Sequence, residues 1–423
     1  MNNIGNQFTD KYNFYGIYTP FELLEAHGSP LYVYNENILR TRCREIKNLV
    51  SYENFTPHYS IKANSNPSLL RIIREEGLHG DVVSPGELYL ALKAGFTSDE
   101  LFFIPNNVND EEMQYAIDND VLISMDSISQ LERYGKLNPN GKVAIRFNPG
   151  VGAGHSAKVV TGGENTKFGV DSTDINKVKK VLKEYNLRLV GINQHIGSLF
   201  MEAEPYLEGV KSIFEIAKEF EGLEFVDLGG GFGIPYKKQA GEERLNLEEL
   251  GRELDKLILN FTKEYGSQVN IQIEPGRYIA AECGILLGTV NAIKHSYGRK
   301  YIGTDLGFNV LQRPMAYGSH HDIEVYYKDT SQFLFGERPA NEEVTVVGNI
   351  CESGDIIAEN RTLPQIFEGD ILGVMDAGAY GFSMSSSYNS RPRPAEILIS
   401  SGGNKNVIRT RDTLEDLARN FLK

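Results

Sequence analysis

HYSIKANSNPSLLRIIREEGLHGDVVSPGELYLALKAGF, residues 58–96, runs twice through one pattern. HYSIK (58–62) and GDVVS (80–84) read as short apolar strands. Each is followed by an amphipathic helical stretch, PSLLRIIREEG and PGELYLALKAG, with Pro, Asn or Ser near its start and Gly at its end. The alternation continues through LFFIP (101–105), VLISM (121–125), KVAIRFN (142–148), RLVGINQHI (188–196), LEFVDL (223–228) and VNIQIE (269–274). Helical patterns such as NDEEMQYAIDND and LEELGRELDKLILNFTKEYG lie between most of them. Eight strands alternating with helices predict an α/β fold of the (β/α)8 TIM-barrel type rather than an open doubly wound sheet.

After Cys283 the texture changes. ILLGTVNAI, KYIGTD, DIEVYY, EEVTVVGNI, DILGVM and AEILIS are strand-like and lack long helical patterns between them, which predicts an all-β C-terminal domain. LYVYN (31–35) is strand-like too and is expected to join that sheet, making the barrel an insertion. The expected division is a barrel over 38–282 and a β-domain built from 1–37 and 283–423. Residues 236–246 and 328–343 read as polar surface loops.

Composition narrows the function. A 423-residue chain with 41% hydrophobic and 24% charged residues has material for one large core and a second, smaller one. Its formal charge of -14 argues against nucleic acid or an anionic membrane surface as a general partner. Cys43, Cys283 and Cys351 are far apart with no CxxC spacing, so neither a disulfide framework nor a zinc ribbon is indicated. Met1 to Lys11 lacks the regions of a signal peptide, and no apolar run has the length of a membrane span. The expected location is the cytoplasm.

Barrels of this type carry their chemistry at the C-terminal ends of the strands. Lys62 ends strand one, Asp81 and Ser84 belong to strand two, Asn148 ends strand five, and His195 ends strand six. Gly229 to Gly231 follow strand seven, and Glu274 to Arg277 follow strand eight. Taken singly, these are a surface lysine, a core histidine, a tight turn and a structural Glu–Arg pair. Together they converge on one mouth. GGGFG lets backbone N–H groups approach an anion, and Arg277 adds a guanidinium fork, so the loops after strands seven and eight read as a phosphate site. A dinucleotide fingerprint is excluded because the glycines lack its spacing and follow the seventh strand. Lysine and phosphate site together point to pyridoxal 5'-phosphate, with Lys62 forming an imine, Glu274 keeping the ring nitrogen protonated, His195 stacked on the ring and Ser198 reaching the phosphate.

YSIKAN, DVVSPGELYLALKAGF, NTKFGVD, HIGS, DLGGGFGIPY, EPGRYIAAECGILLGTV, RPMAY, CESGDIIAENRTLP and DAGAYGFSMSSSYNSRPRPAE together resemble the meso-diaminopimelate decarboxylases, members of the fold-type III, alanine-racemase-like pyridoxal phosphate enzymes. The resemblance spans nearly the whole chain, and the last two of these motifs are its most specific. It implies decarboxylation of meso-2,6-diaminopimelate to L-lysine by a homodimer whose active sites are shared across the interface. Lys62, His195 and Cys351 would then be the catalytic residues, Cys351 donating a proton from the partner subunit. Asp81, Ser198, Gly231, Glu274, Gly276, Arg277 and Tyr380 would complete the cofactor contacts. Arg277, Arg313, Tyr317, Glu352 and Tyr380 would bind substrate. Arg313 facing the distal carboxylate and Glu352 the distal ammonium would reject substrates lacking either group. No metal is expected, since His320 and His321 are adjacent on a strand and point to opposite faces.

Asn193, Gln194, Leu199, Leu306, Phe308, Val310 and Gln312 depart from the family pattern. They leave the cofactor chemistry untouched and keep open the alternative of a related decarboxylase acting on another D- or L-amino acid, of ornithine, lysine or arginine type. Residues 150–167, rich in glycine and polar side chains, read equally as a lid and as a static surface loop.

Overall fold

The computed structural model describes residues 8–150, 163, 166–327 and 341–421. Most of the segment read as a lid, and residues 328–340 of the second surface loop, lie outside the described residues.

Eight parallel strands close on themselves. In chain order they are Phe55–Ser60, His79–Val82, Leu101–Phe103, Leu122–Met125, Lys142–Asn148, Arg188–Asn193, Phe225–Asp227 and Asn270–Ile273, the last pairing back on the first through Ile271 and Phe55. Each successive pair is in parallel register, for example Ser60 beside Asp81 and Gln272 beside Asp227. Helices fill the connections as the punctuation predicted. Asn66 caps Pro67–Glu75 by accepting the Ser68 N–H, and Asn246 caps the 19-residue helix Leu247–Tyr265. Ser84 is not a strand residue: it caps Pro85–Ala94 by accepting the Glu87 N–H, which removes it from the strand-end cluster.

Phe102, Ala144, Val190 and Phe225, with the partly buried Leu122, come from five different strands and form one apolar cluster together with Ile104. Phe102 and Phe225 meet edge to face at 5.3 Å. This packing leaves no space at Gly191, where an added Cβ would lie 2.1 Å from the Phe225 ring.

Among the described residues, a second compact unit is drawn from the ranges 8–39, 235–243 and 280–421, and the barrel unit from 40–234 and 244–279. Leu31–Asn35 does join the C-terminal sheet. It runs antiparallel to Gly284–Ser296 and parallel to Ala395–Ile399, in a sheet of nine strands among the described residues. Two strands of that sheet, Ile356–Pro364 and Lys405–Arg409, were not foreseen.

Residues 237 and 239–243 are exposed, in keeping with the polar surface loop expected there, whereas Tyr236 is buried and Lys238 half-buried. Lys238 pairs with buried Asp376 at 2.6 Å and buried Glu282 at 3.2 Å, and Gln239 bonds Asp322 and the Ile323 carbonyl. Lys238 and Gln239 therefore anchor an otherwise exposed loop within the β unit. Among the described residues no helix is long and apolar enough to cross a membrane.

Gly191→Ala should destabilise the protein by about 1–3 kcal/mol, because the Phe225 ring must leave its place in a filled interior. Equilibrium denaturant unfolding measures this, and an unchanged midpoint would show that the ring yields freely.

Candidate active site

The first barrel strand ends at Ser60, whose N–H bonds the Pro275 carbonyl, and the chain tightens into a 3-10 turn, Ile61–Ala63. Lys62 thus stands on the turn beyond the strand, not at its last residue as read from the sequence. Its side chain is 36% exposed and its Nζ lies 3.8 Å from Oδ2 of buried Asp81. Ser60 Oγ donates to the same Asp81 oxygen at 2.7 Å and contacts the Glu274 carbonyl at 3.0 Å, tying strands one, two and eight together. Burial, with the Glu274 charge nearby, pushes the Asp81 carboxyl up to about 7 against the opposing pull of Lys62 and Ser60.

His195 follows the sixth strand by two residues. Its Nδ1 accepts the Gly230 N–H at 3.1 Å and lies 3.4 Å from Glu274 Oε2. One nitrogen cannot accept from Gly230 and also donate to Glu274; the shorter contact makes Nδ1 the acceptor, so the neutral ring carries its proton on Nε2. Burial keeps the imidazole below its ordinary value, outweighing Glu274. Burial alone would raise Glu274 as well, but a hydrogen bond with Asp227 and the Lys62 charge pull it down. Glu274 is therefore an ionised carboxylate beside an uncharged aromatic ring.

The glycine run is imposed by close approach of the strand ends. An added Cβ would lie 2.3 Å from the Gln194 carbonyl oxygen at Gly229, 1.9 Å from that of Glu274 at Gly230 and 2.5 Å from that of Gly197 at Gly231. Gly229 and Gly231 also have φ of 76° and 107°, a region side chains disfavour. The N–H groups of Gly229 and Gly230 are engaged by Asp227 and His195. That of half-exposed Gly231 bonds no described residue. Arg277 Nη2 donates to Ser198 Oγ at 2.9 Å. Gly276 packs against the Cβ atoms of Ser60 and Ala63, so the turn bearing Lys62 can sit close.

A chain of contacts thus links Lys62, Asp81, Glu274, His195 and the glycines, and Arg277 joins Ser198. An exposed amine, an ionised carboxylate, a neutral aromatic face, and a cation with hydroxyl and N–H donors fit pyridoxal phosphate by charge and by chemistry.

The β unit orders its own expected residues. Arg313 opens the short helix Arg313–Tyr317 and is only 1% exposed. Its Nη1 donates to His321 Nε2 at 2.7 Å, because His321 Nδ1 donates to the Met375 carbonyl, and its guanidinium lies 4.5 Å over the Tyr236 ring. His320 points elsewhere, to Asp322 and Arg361. Tyr317 is half-buried, while Cys351 and Glu352 are exposed on a turn. Asp355 cinches that turn, accepting the N–H groups of Phe308 and Ile350 at 2.7 Å each. Asn389 accepts the Cys351 N–H and turns its amide nitrogen to Sγ at 3.2 Å; the Tyr388 hydroxyl donates to Glu352. Tyr380 adopts φ of 56°, an unusual conformation for a bulky residue. Among the described residues no group of three or more His, Cys, Asp or Glu side chains is set to hold a metal ion.

Sequence reasoning overlooked Arg146 and Asp227. Arg146 is buried in the fifth strand beneath the Phe168 ring and 3.9 Å from Asp126. A charged residue inside an apolar strand was the available signal in both cases. Five of the seven departures from the family pattern are buried: Leu306, Phe308 and Val310 as apolar side chains, and Asn193 and Gln194 as polar ones bonded to Ser124 and the Leu228 carbonyl.

Residues 36–281 match the family model described as "Pyridoxal-dependent decarboxylase, pyridoxal binding domain". A diaminopimelate decarboxylase of Methanothermobacter thermautotrophicus is 44% identical over 94% of this chain and 92% of its own length. One from Archaeoglobus fulgidus is 37% identical over 94% and 93%. The crystal structure of the Helicobacter pylori diaminopimelate decarboxylase complexed with L-lysine superposes with a TM-score of 0.86 at 30% identity, covering 95% of this chain and 98% of that one.

Asp81 titrates near 7 when folded and near 3.8 as an ordinary carboxyl, so the folded protein holds an extra proton between those values and loses stability as pH rises through them. Asp81→Asn removes this loss. In cofactor-free protein the stability of the variant relative to the parent should climb from about pH 4 to about pH 7. A constant difference in urea midpoints across that range would show that Asp81 does not titrate there.

Proposed function

The chain belongs to the diaminopimelate decarboxylase family of pyridoxal-dependent decarboxylases, and from that premise we propose how its own residues divide the work. It is a carboxy-lyase that converts meso-2,6-diaminopimelate to L-lysine and carbon dioxide, the last step of lysine biosynthesis by the diaminopimelate pathway, with pyridoxal 5'-phosphate as cofactor. The observation that carries this reading is 44% identity along 94% of the chain, which takes in the barrel and the unit bearing Arg313 and Glu352 alike.

Lys62 Nζ is the atom that would hold the cofactor's aldehyde carbon, its exposure giving it access. Asp81, buried beside it, contributes a carboxyl that can take or give up a proton near neutral pH. Glu274 would hold the ring nitrogen, His195 would cover the ring face, and Ser198, Gly231 and Arg277 would hold the phosphate, with Gly276 keeping the backbone close. Bound there, the cofactor supplies an electron-withdrawing ring for the electrons of the breaking bond.

Arg313 binds the distal carboxylate and Glu352 the distal ammonium, with Arg277, Tyr317 and Tyr380 as further contacts. His321 and Tyr236 fix the Arg313 fork in advance, so little side-chain entropy is lost when a carboxylate meets it. A diamine acid with no distal carboxylate would leave that cation unmatched. The bond from the reacting carbon to its carboxylate breaks, carbon dioxide leaves, and a proton from Cys351 Sγ takes its place on the same carbon. Water then reprotonates the sulfur. The protein works as a cytoplasmic homodimer in which Cys351 and Glu352 serve the partner's barrel, an arrangement their exposure on a turn permits.

Purified protein supplied with pyridoxal phosphate should release carbon dioxide from meso-diaminopimelate and form L-lysine, while LL-diaminopimelate, D-ornithine, D-lysine and L-arginine give little. Release chiefly from one of the others would move the substrate to a related amino acid. Lys62→Ala should lose both the cofactor's absorbance and turnover. Cys351→Ala should keep the absorbance and lose turnover by about 10²–10⁴-fold, the usual worth of a positioned proton donor; full activity would remove Cys351 from that role.

A further inference from the structure

Two buried carboxyl groups behind the site have the same defect. Asp227, fully buried, accepts the Gly229 N–H on Oδ1 at 2.9 Å, yet its Oδ2 meets no donor. Glu274, 3% exposed, has no donor at Oε1. They stand at the ends of neighbouring strands, with Gln272 opposite Asp227 in register and the Glu274 N–H on the Gly229 carbonyl. The two side chains leave these adjoining strand ends, close enough for each charge to act on the other. Two ionised carboxylates in contact in a buried site repel, and each would leave an oxygen unsatisfied. One shared proton removes both problems.

The surroundings decide which group holds it. Glu274 faces the Lys62 charge, which favours its ionised form. Asp227 has one N–H for support and faces Glu274 and Asp81. Arg146 also faces these acids, but Asp126 lies against it at 3.9 Å.

Resting on the reading of Glu274 as the ring-nitrogen partner, we propose that Asp227 is a neutral carboxylic acid and a positioning residue: its Oδ2–H donates to Glu274 Oε1 while its Oδ1 holds the Gly229 N–H. One side chain thereby sets the carboxylate meant for the ring nitrogen and the glycine run meant for the phosphate. Burial and the neighbouring Glu274 charge push the Asp227 carboxyl well above its ordinary range, in keeping with this.

Asparagine imitates a neutral aspartic acid, since its amide nitrogen donates and its oxygen accepts. Asp227→Asn should bind pyridoxal phosphate within about threefold of the parent, whereas Asp227→Ala, losing both contacts, should bind on the order of 10²-fold more weakly. The decisive measurement needs no cofactor. Infrared spectra of apo protein carrying carboxyl-labelled aspartate, taken at about pH 9 where Asp81 is ionised, should show a protonated-acid carbonyl band that Asp227→Asn removes. In Glu274→Gln the same band should vanish, because an amide donor now favours an ionised Asp227. Absence of the band in the parent, or Asp227→Asn binding cofactor as poorly as Asp227→Ala, would overturn the proposal. A band with Asp227→Ala leaving cofactor affinity unchanged would keep the shared proton while overturning the positioning role and the reading of Glu274.

Discussion

Asp81, Asp227 and Glu274 bring three carboxyl groups into a barrel interior where, among the described residues, the cations facing them are half-buried Lys62 and buried Arg146, the latter already engaged by Asp126. Burial makes every unmatched charge expensive, so the arrangement at this end of the barrel is a distribution of protons. Only Glu274 is held firmly ionised, by the groups around it. Asp81 is poised near neutrality, and Asp227 is driven towards its uncharged form. A cofactor ring that works as an electron sink needs one dependable negative charge at its nitrogen, and three would compete with one another.

Backbone geometry enforces the same selectivity. The approach of residues 229–231 to the carbonyls of Gln194, Gly197 and Glu274 leaves no room for a Cβ, so strands six, seven and eight end in near contact. Gly230 supplies the N–H that fixes the His195 tautomer, and Gly229 supplies the one that orients Asp227. The glycines thus govern proton positions as well as the path of the chain. In the β unit a different device does similar work: His321, aligned by the Met375 carbonyl, orients the Arg313 fork.

The barrel was legible because the apolar period switches between two and 3.6 at each strand–helix boundary, and because Asn66, Ser84 and Gly95 mark the helix ends. Strand ends were read too long at HYSIK and RLVGINQHI. Apolar, β-prone residues continue past the point where neighbouring backbone is available, and the chain turns away after Ser60 and Asn193. The two overlooked strands, Ile356–Pro364 and Lys405–Arg409, are the two ends of the main strand path of the β unit's sheet. Edge strands carry polar and charged residues such as Glu359, Asn360 and Arg361, which hide the alternation that betrays an inner strand. Asp227 was passed over as one polar residue in an apolar run, because its meaning depends on a neighbour 47 positions away in the chain, Glu274.

The pairing of Leu31–Asn35 with Ala395–Ile399 has a consequence in time. The two strands lie about 360 residues apart in the sequence, so at about 5–20 residues per second a ribosome delivers them roughly 20–70 seconds apart. Throughout that interval LYVYN, an apolar segment of high β-propensity, has an open edge, and the barrel is synthesised in full before either partner strand exists. Nascent chains of this protein therefore carry a sticky strand edge through that interval, a natural point of failure by pairing with another chain.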